Sequence, residues 1–506
     1  MSRNNHRIYL ITCLLIGLFS SITYWIGFLQ NNNKGHHDSK WRNIEFVLDQ
    51  LMEKYVDSLD VTELVERSIE NTLKNLDPHS TYISADKAKA ENETLIGHFG
   101  GIGIRFMILR DTLTVVAVIK DGPSEIVGLE KRDRIIEINN ENVASIGLTN
   151  QDVLKKLKGE LNSIVELKIL KPNKSILYKS ITRGQIPLNS VAATTMLNKT
   201  IGYIKLSKFS SKTDVEVKES LKKLSSLGMV SLILDLRFNG GGYLHQAIKV
   251  ADEFLKKDRL IVYTKGAHSE KKSFYASEYG HFEDGKLIIL VNSMTASASE
   301  IVSGAIQDHQ RGIIVGRRTF GKGLVQQPIQ LNNSSEIRIT TSRYYTPKGK
   351  CIQKPYGDSI DYDNDIIGRL ESGELTLNDS VTNLLNTKGG IIPDIFTPID
   401  TTNYSYLVNK IIYSNKWRDF CFDYYEKHNN KPYNTLNEFY KSFYCDKSVF
   451  NPLFNGHIIT EKENQDLIWN MKFELSNYYY DEESRYIIST EKDKDILKAI
   501  SILLNN

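Results

Sequence analysis

Val230-Ser-Leu-Ile-Leu-Asp-Leu-Arg-Phe-Asn-Gly-Gly-Gly242 is the stretch whose reading decides the fold. Val230 to Leu236 is an apolar run of strand length, the glycines after it form a connection, and a helical pattern follows near Leu244 to Leu255. Reading outward, the spacing predicts a strand at Ile201 to Leu206 and a helix near Asp214 to Leu227 before this unit. Further strands are predicted after it at Leu260 to Thr264, Leu287 to Val291, Gly312 to Val315 and Glu336 to Ser342. Strands separated by helices argue for an α/β layered core over residues 185–400. Residues 97–184 differ in texture. Short β-branched runs (Thr114 to Ile119, Ile135 to Ile138, Val165 to Leu170) alternate there with turn residues and one helix, Gln151 to Lys158, as in a small, mainly β module. Before it, residues 34–96 carry apolar positions at helical spacing (Ile44, Val47, Leu48, Leu51, Met52, Tyr55, then Leu64 to Leu76), closed by Asp77-Pro78. After Pro398 the chain turns rich in Tyr, Phe, Asn and Lys. Residues 401–506 read as a helical extension, with helices at Trp417 to Tyr425 and Leu436 to Phe443 and no chemical motif.

With 506 residues, 41% of them hydrophobic, the chain can bury more than one sizeable core. Its 64 basic and 61 acidic residues leave a net charge of +3, which offers no field to attract nucleic acid, and no such partner is expected. Ile8 to Leu29 carries no charged side chain, and at about 1.5 Å per residue it is long enough to cross a hydrocarbon core of about 30 Å. Arg3 and Arg7 precede it and the next cation is Lys34. Residues 1–33 are therefore expected to be a cytoplasmic tip and an uncleaved single-pass inner-membrane anchor, with residues 34–506 periplasmic or extracytoplasmic. A cleaved signal peptide is the competing reading, against which stand the length of the run and the lack of a small-x-small site. The four cysteines make no disulfide framework, and whether Cys421 and Cys445 pair is left open. Cys, His and carboxylate residues do not cluster at zinc-ligand spacing, so neither a metal nor a cofactor is expected.

Met294-Thr-Ala-Ser-Ala-Ser-Glu300 and Phe320-Gly-Lys-Gly-Leu-Val-Gln326 carry the candidate chemistry. Leu287 to Val291 is a strand and Ala298 to Asp308 has the composition of a helix, so Ser297 falls at a strand-to-helix turn. There the unpaired N–H of Ala298 can hold a developing oxyanion. A serine hydroxyl needs a proton acceptor, and a lysine serves only when neutral, which desolvation promotes. Lys322, flanked by glycines, is the candidate base. Gln326, four residues on in a strand, lies on the same face and can accept from the amine without adding charge. The glycine cluster offers a second oxyanion donor, Gly241. Each feature also has a plainer reading: Ser297-x-x-Glu300 as a helix capping box, Lys322 as a solvated turn residue, the glycines as a tight connection.

Taken together these segments resemble the tail-specific, or C-terminal processing, serine peptidases with a Ser-Lys dyad. The shared pattern is Leu76-Asp-Pro-His-Ser-Thr-Tyr-Ile83, Gly100-Gly-Ile-Gly-Ile104, Ile233-Leu-Asp-Leu-Arg237, Thr295-Ala-Ser-Ala-Ser-Glu-Ile301, Gly321-Lys-Gly323, Arg343-Tyr-Tyr-Thr-Pro-Lys-Gly349 and Gly390-Ile-Ile-Pro-Asp394. The resemblance covers residues 40 to 400. It implies a multidomain α/β protein: a crotonase/ClpP-like peptidase core, an inserted PDZ domain over 97–184, an N-terminal helical segment and a C-terminal extension like that of extended Bacteroidetes-type members. By it Ser297 is the nucleophile, Lys322 the base, Gln326 its orienting partner, and the amides of Gly241 and Ala298 the oxyanion hole. Gly100, Gly101, Ile102, Gly103 and Ile104 would hold a peptide carboxylate, with Val153, Leu154 and Leu157 lining the side-chain pocket. The expected partners are proteins or peptides with accessible C-termini, and the resemblance admits an adaptor lipoprotein and oligomerisation. Asn239-Gly240 departs from the family's usual Asn-Pro. The alternative function is a catalytically silent PDZ peptide-binding scaffold.

Overall fold

A computed structural model of the chain describes residues 39–277, 280–357, 362, 364–376, 389–400, 405–428, 433–454 and 456–505. It divides into two compact units, residues 1–75 and 76–506. The first contains two described helices, Ser39–Lys54 and Val61–Lys74. Asp60 caps the second by accepting from the N–H groups of Thr62 and Glu63 at 2.9 and 3.1 Å.

In the second unit the apolar strands assemble into one six-stranded sheet. Its order is Val191–Met196, Ile201–Leu206, Ser231–Asp235, Lys286–Val291, Ile313–Gly316 and Ile395–Phe396. Only the first strand runs antiparallel to its neighbour. Such strands are covered on both faces, which is why their sequences run apolar without alternation. Ile204, Leu206, Leu232, Leu234, Ile289 and Val291 pack against the helices Thr213–Ser226, Leu244–Asp252 and Ala298–Asp308. Tyr203, Ile233, Ile288, Leu290 and Val315 face the other way, onto Ile496, Ala499 and Leu503 of the C-terminal helix Lys494–Asn505. The extension is therefore a layer of the α/β core. A second sheet pairs Thr81–Ile83 with Glu336–Tyr345, which also pairs with Leu260–Lys265 and Leu324–Gln330.

The mainly β module is a sheet of Ile104–Leu109, Thr112–Val118, Arg134–Ile138, Ile164–Leu170 and Ile176–Thr182, with the helix Asn150–Leu157 started by a Thr149/Asp152 capping box. Its first strand alternates as a two-sided strand must. Ile104, Phe106 and Ile108 face the module's own core, whereas Met107 and Leu109 enter the aromatic core of the C-terminal helices, around Trp417, Phe439, Phe450 and Tyr478. Polar contacts reinforce that seam: Arg105 Nη1 donates to Asn477 Oδ1 at 2.6 Å, and Lys131 Nζ to the carbonyls of Tyr478 and Tyr480 at 3.4 Å each. Glu483, on the helix Glu482–Ser489, accepts from the N–H of Thr194 at 2.6 Å and so blocks the open edge of the six-stranded sheet.

The run Ile8 to Leu29 lies outside the described residues. Among the described residues no helix is long and apolar enough to cross a membrane, so the expected inner-membrane, single-pass location with a periplasmic catalytic part does not stand. The longest helix described, Glu461–Tyr479, carries Glu461, Lys462, Glu463, Asp466, Lys472 and Glu474 along its length. Cys421 and Cys445 are buried thiols without a bridge, and burial pushes the Cys421 pKa well above its ordinary value.

Trp417 is 1% exposed and stacks near Phe420 and Phe450. Trp417→Ala is expected to destabilise the chain by about 3–5 kcal/mol, measured by urea unfolding.

Candidate active site

The glycine loop and the serine turn leave the carboxyl ends of two adjacent parallel strands, Ser231–Asp235 and Lys286–Val291, where α/β sheets open their crevices. Asn239 and Asn292 fasten the loops together. Asn292 Oδ1 accepts from the N–H groups of Phe238 and Met294 at 3.0 and 3.1 Å, and the carbonyl of Asn239 from Ala296 N and Ser299 Oγ at 3.0 Å each. Gly241 (φ +104°) lies so close to the serine that a Cβ there would sit 2.8 Å from the Ser297 Cβ and 3.0 Å from the Ala298 nitrogen. Only glycine fits.

Ser297 heads the helix Ala298–Asp308 with φ 58° and ψ −116°. For a residue with a Cβ this backbone costs about 1–3 kcal/mol and persists only where its surroundings enforce it. Glu300 supplies the enforcement. Its fully buried carboxyl accepts from the N–H of Ser297 at 2.8 Å, from the N–H groups of Gly321 and Lys322 at 2.8 Å each, and from Thr319 Oγ1. Ser297 and Lys322 share one oxygen, Oε2. Burial pushes the Glu300 carboxyl up from 4.5 to about 7, against the Thr319 hydroxyl and the three N–H donors that favour the charged form. The capping-box reading of Ser297-x-x-Glu300 thus holds for the N–H half, and the same carboxyl also draws in the lysine loop.

Lys322 Nζ donates to Gln326 Oε1 at 3.0 Å, the pairing expected from their spacing. Gln326 is fixed in turn by donating from Nε2 to the carbonyl of His79. The Lys322 pKa is lowered, first by burial and then by Arg338, while Glu300, Asp77 and Glu91 oppose. His79 is held near 4 by burial and by the Lys322 charge. Among the described residues no hydrogen bond joins Lys322 Nζ to Ser297 Oγ. Tyr344 stands nearby instead: its buried hydroxyl donates to the Lys322 carbonyl and lies close to the Ser297 side chain. No local pattern in the sequence marks Tyr344 or His79 as neighbours of Lys322, although both lie in blocks that carry the resemblance.

The two oxyanion candidates differ. The N–H of Ala298 donates to no acceptor among the described residues. The N–H of Gly241 is engaged, donating to Asn239 Oδ1 at 2.9 Å, so Gly241 is adjacent as expected but not an open donor in this arrangement. The peptide-groove expectation needs more correction. Gly100 and Gly101 are strand residues paired with Gln185 and Gly184. Ile102, Val153 and Leu157 are buried in the module's core, so they cannot line an open pocket, whereas Leu154 is exposed. Gly103 has φ +77°, and Ile104 begins the strand whose outer edge pairs with no other strand among the described residues.

Residues 200–365 match Peptidase family S41, and residues 114–171 match the PDZ domain. The chain is 34% identical over 350 residues to the carboxy-terminal-processing protease of Bartonella bacilliformis, covering 68% of this chain and 78% of that protein. Over 312 residues it is 35% identical to the carboxyl-terminal-processing protease of Synechocystis sp., covering 60% and 72%. Among solved structures it is similar to the photosystem II D1 C-terminal processing protease, with 26% identity, 70% of this chain and 86% of that one covered, and a TM-score of 0.38. The chain belongs to the carboxy-terminal processing serine peptidases that join a Peptidase family S41 core to a PDZ domain.

Gly241→Ala is expected to lower kcat by about 100-fold, the scale of a misplacement of about 1 Å between reacting groups, because its Cβ would push against the Ser297 turn, measured on a peptide substrate. A carboxyl raised on folding lends stability that is complete below its unfolded pKa and is lost as pH rises through the folded one. Thermal unfolding should therefore show the Glu300 contribution fading between 4.5 and about 7, and Glu300→Gln should remove that pH dependence.

Proposed function

We propose that the chain is an endopeptidase that captures accessible C-terminal tails on the PDZ domain, residues 97–184, and hydrolyses peptide bonds in the core, residues 185–400, with Ser297 as nucleophile and Lys322 as base. The observation that carries this reading is the single Glu300 oxygen that accepts from both the Ser297 and the Lys322 N–H. A helix cap alone has no need to bind a second loop that bears a half-buried lysine.

In the reaction the Ser297 hydroxyl turns to the neutral Lys322 amine, which takes its proton as Oγ attacks the substrate carbonyl. Gln326 holds the amine in direction through an uncharged oxygen, so the orienting contact does not raise the lysine pKa. The oxyanion forms against the open N–H of Ala298, and a turn of the Asn239 side chain releases that of Gly241 to join it. The tetrahedral intermediate collapses, the leaving amine takes the proton from Lys322, and Ser297 keeps the acyl group. Water, deprotonated by the same lysine, then attacks the ester and frees the serine. An extended tail meets the unpaired edge of Ile104–Leu109, whose backbone groups can add a strand.

Ser297→Ala and Lys322→Ala are each expected to lower kcat by about 10⁴-fold or more, followed by mass spectrometry of a tailed protein substrate. Lys322→Arg should be equally inactive, because a guanidinium stays charged. Since burial lowers the Lys322 pKa from 10.5, kcat/KM of the native chain should rise with pH and level off below that value. Full turnover by a folded Ser297→Ala chain would reject the dyad.

A further inference from the structure

We infer that Asp495 is a positioning residue for peptide hydrolysis, holding the glycine loop and the lysine loop in register from beneath, so that the C-terminal helices are part of the catalytic apparatus. The inference rests on the Ser297–Lys322 reading above.

Asp495 is the second residue of the helix Lys494–Asn505 and is 5% exposed. Its Oδ2 accepts from Arg237 Nη1 at 2.9 Å and from Arg317 Nη2 at 2.8 Å, and its Oδ1 from Arg317 Nη1 at 3.2 Å and from Thr397 Oγ1 at 2.6 Å. The two arginines stand at the roots of the two loops that matter. Arg237 opens the segment Arg237-Phe-Asn-Gly-Gly241, and Arg317 opens Arg317-Arg-Thr-Phe-Gly-Lys322. One carboxylate therefore grips both loops at their strand ends, on the side of the sheet that the C-terminal helix covers.

The charges around it are matched. Lys205, Arg237 and Arg317 face Asp235, Asp493 and Asp495, with Arg237 also donating to Asp235 at 2.7 Å and to Asp493 at 2.9 Å, and Lys205 to Asp235 at 3.1 Å. Both guanidiniums are largely buried. A buried guanidinium cannot drift from its partner without leaving an uncompensated charge, and its planar fork fixes direction as well as distance. The loops inherit that fixity. Asp495 makes no hydrogen bond to Ser297, Lys322, Gln326 or Tyr344 among the described residues, so its influence passes through the arginines.

The test is Asp495→Asn in the full chain, with initial rates on a tailed protein substrate across substrate concentrations and a melting curve for each variant. A misplacement of about 1 Å between reacting groups costs about 100-fold, so kcat should fall on that scale while KM stays within about two-fold and the variant remains folded at the assay temperature. Asp495→Glu should recover part of the rate. A folded Asp495→Asn chain with native kcat, or one whose only defect is a raised KM, overturns the inference. If that variant does not fold, Thr397→Val decides, since it keeps every charge and removes only the hydroxyl, the shorter of the two hydrogen bonds to Oδ1. It should lower kcat by about five-fold, and native kcat there overturns the inference as well. Ser297→Ala is assayed in parallel. Turnover by it sinks the dyad reading itself, whereas an inactive Ser297→Ala beside a fully active Asp495→Asn rejects the role of Asp495 alone.

Discussion

A single buried carboxyl, that of Glu300, receives donors from a helix start and from a loop some twenty residues later in the chain. Neither segment is stable in its observed form without it: Ser297 holds a backbone conformation that side-chain-bearing residues avoid, and the Gly321-Lys322-Gly323 segment has little intrinsic order. The cost of burying the carboxyl is offset by four hydrogen bonds, and an acceptor with that many donors has little freedom to move. Geometry at the site is thus set by a group that need not touch substrate.

The parallel strands were legible because they are buried on both faces and read as unbroken apolar runs, Ile201 to Leu206 and Leu287 to Val291 among them. Val191–Met196 was not, since Ala192, Ala193, Thr194 and Thr195 give little contrast and the strand lies at an edge. The placement of Ser297, Lys322 and Gln326 could be read because its signals are local: a strand-to-helix turn, a pair of glycines, a spacing of four. Tyr344 and Asp495 could not. Each acts across more than twenty residues of chain through contacts that exist only after the sheets are assembled. The groove residues failed for another reason. Val153 and Leu157 have the helical spacing of pocket-lining residues, but the same spacing serves a core, and the core takes them.

The C-terminal helices have two attachments of different character. To the PDZ domain they present aromatic surface and a few polar contacts around Arg105 and Lys131, and to the core they contribute the helix that closes one face of the main sheet. One run of helices therefore joins the PDZ domain to the main sheet of the peptidase core. Gly240, where the family commonly has proline, has open space around its missing Cβ. The fold does not require glycine there, and the loop is held by Asn239 and Asn292 instead.

The covering of the main sheet by Lys494–Asn505 also bears on truncation. A chain cut ahead of that helix would leave Tyr203, Ile233, Ile288 and Leu290 wet on one sheet face and take the Asp495 carboxylate from Arg237 and Arg317. Removing one short helix would thus unsettle the strand ends from which two distant loops depart.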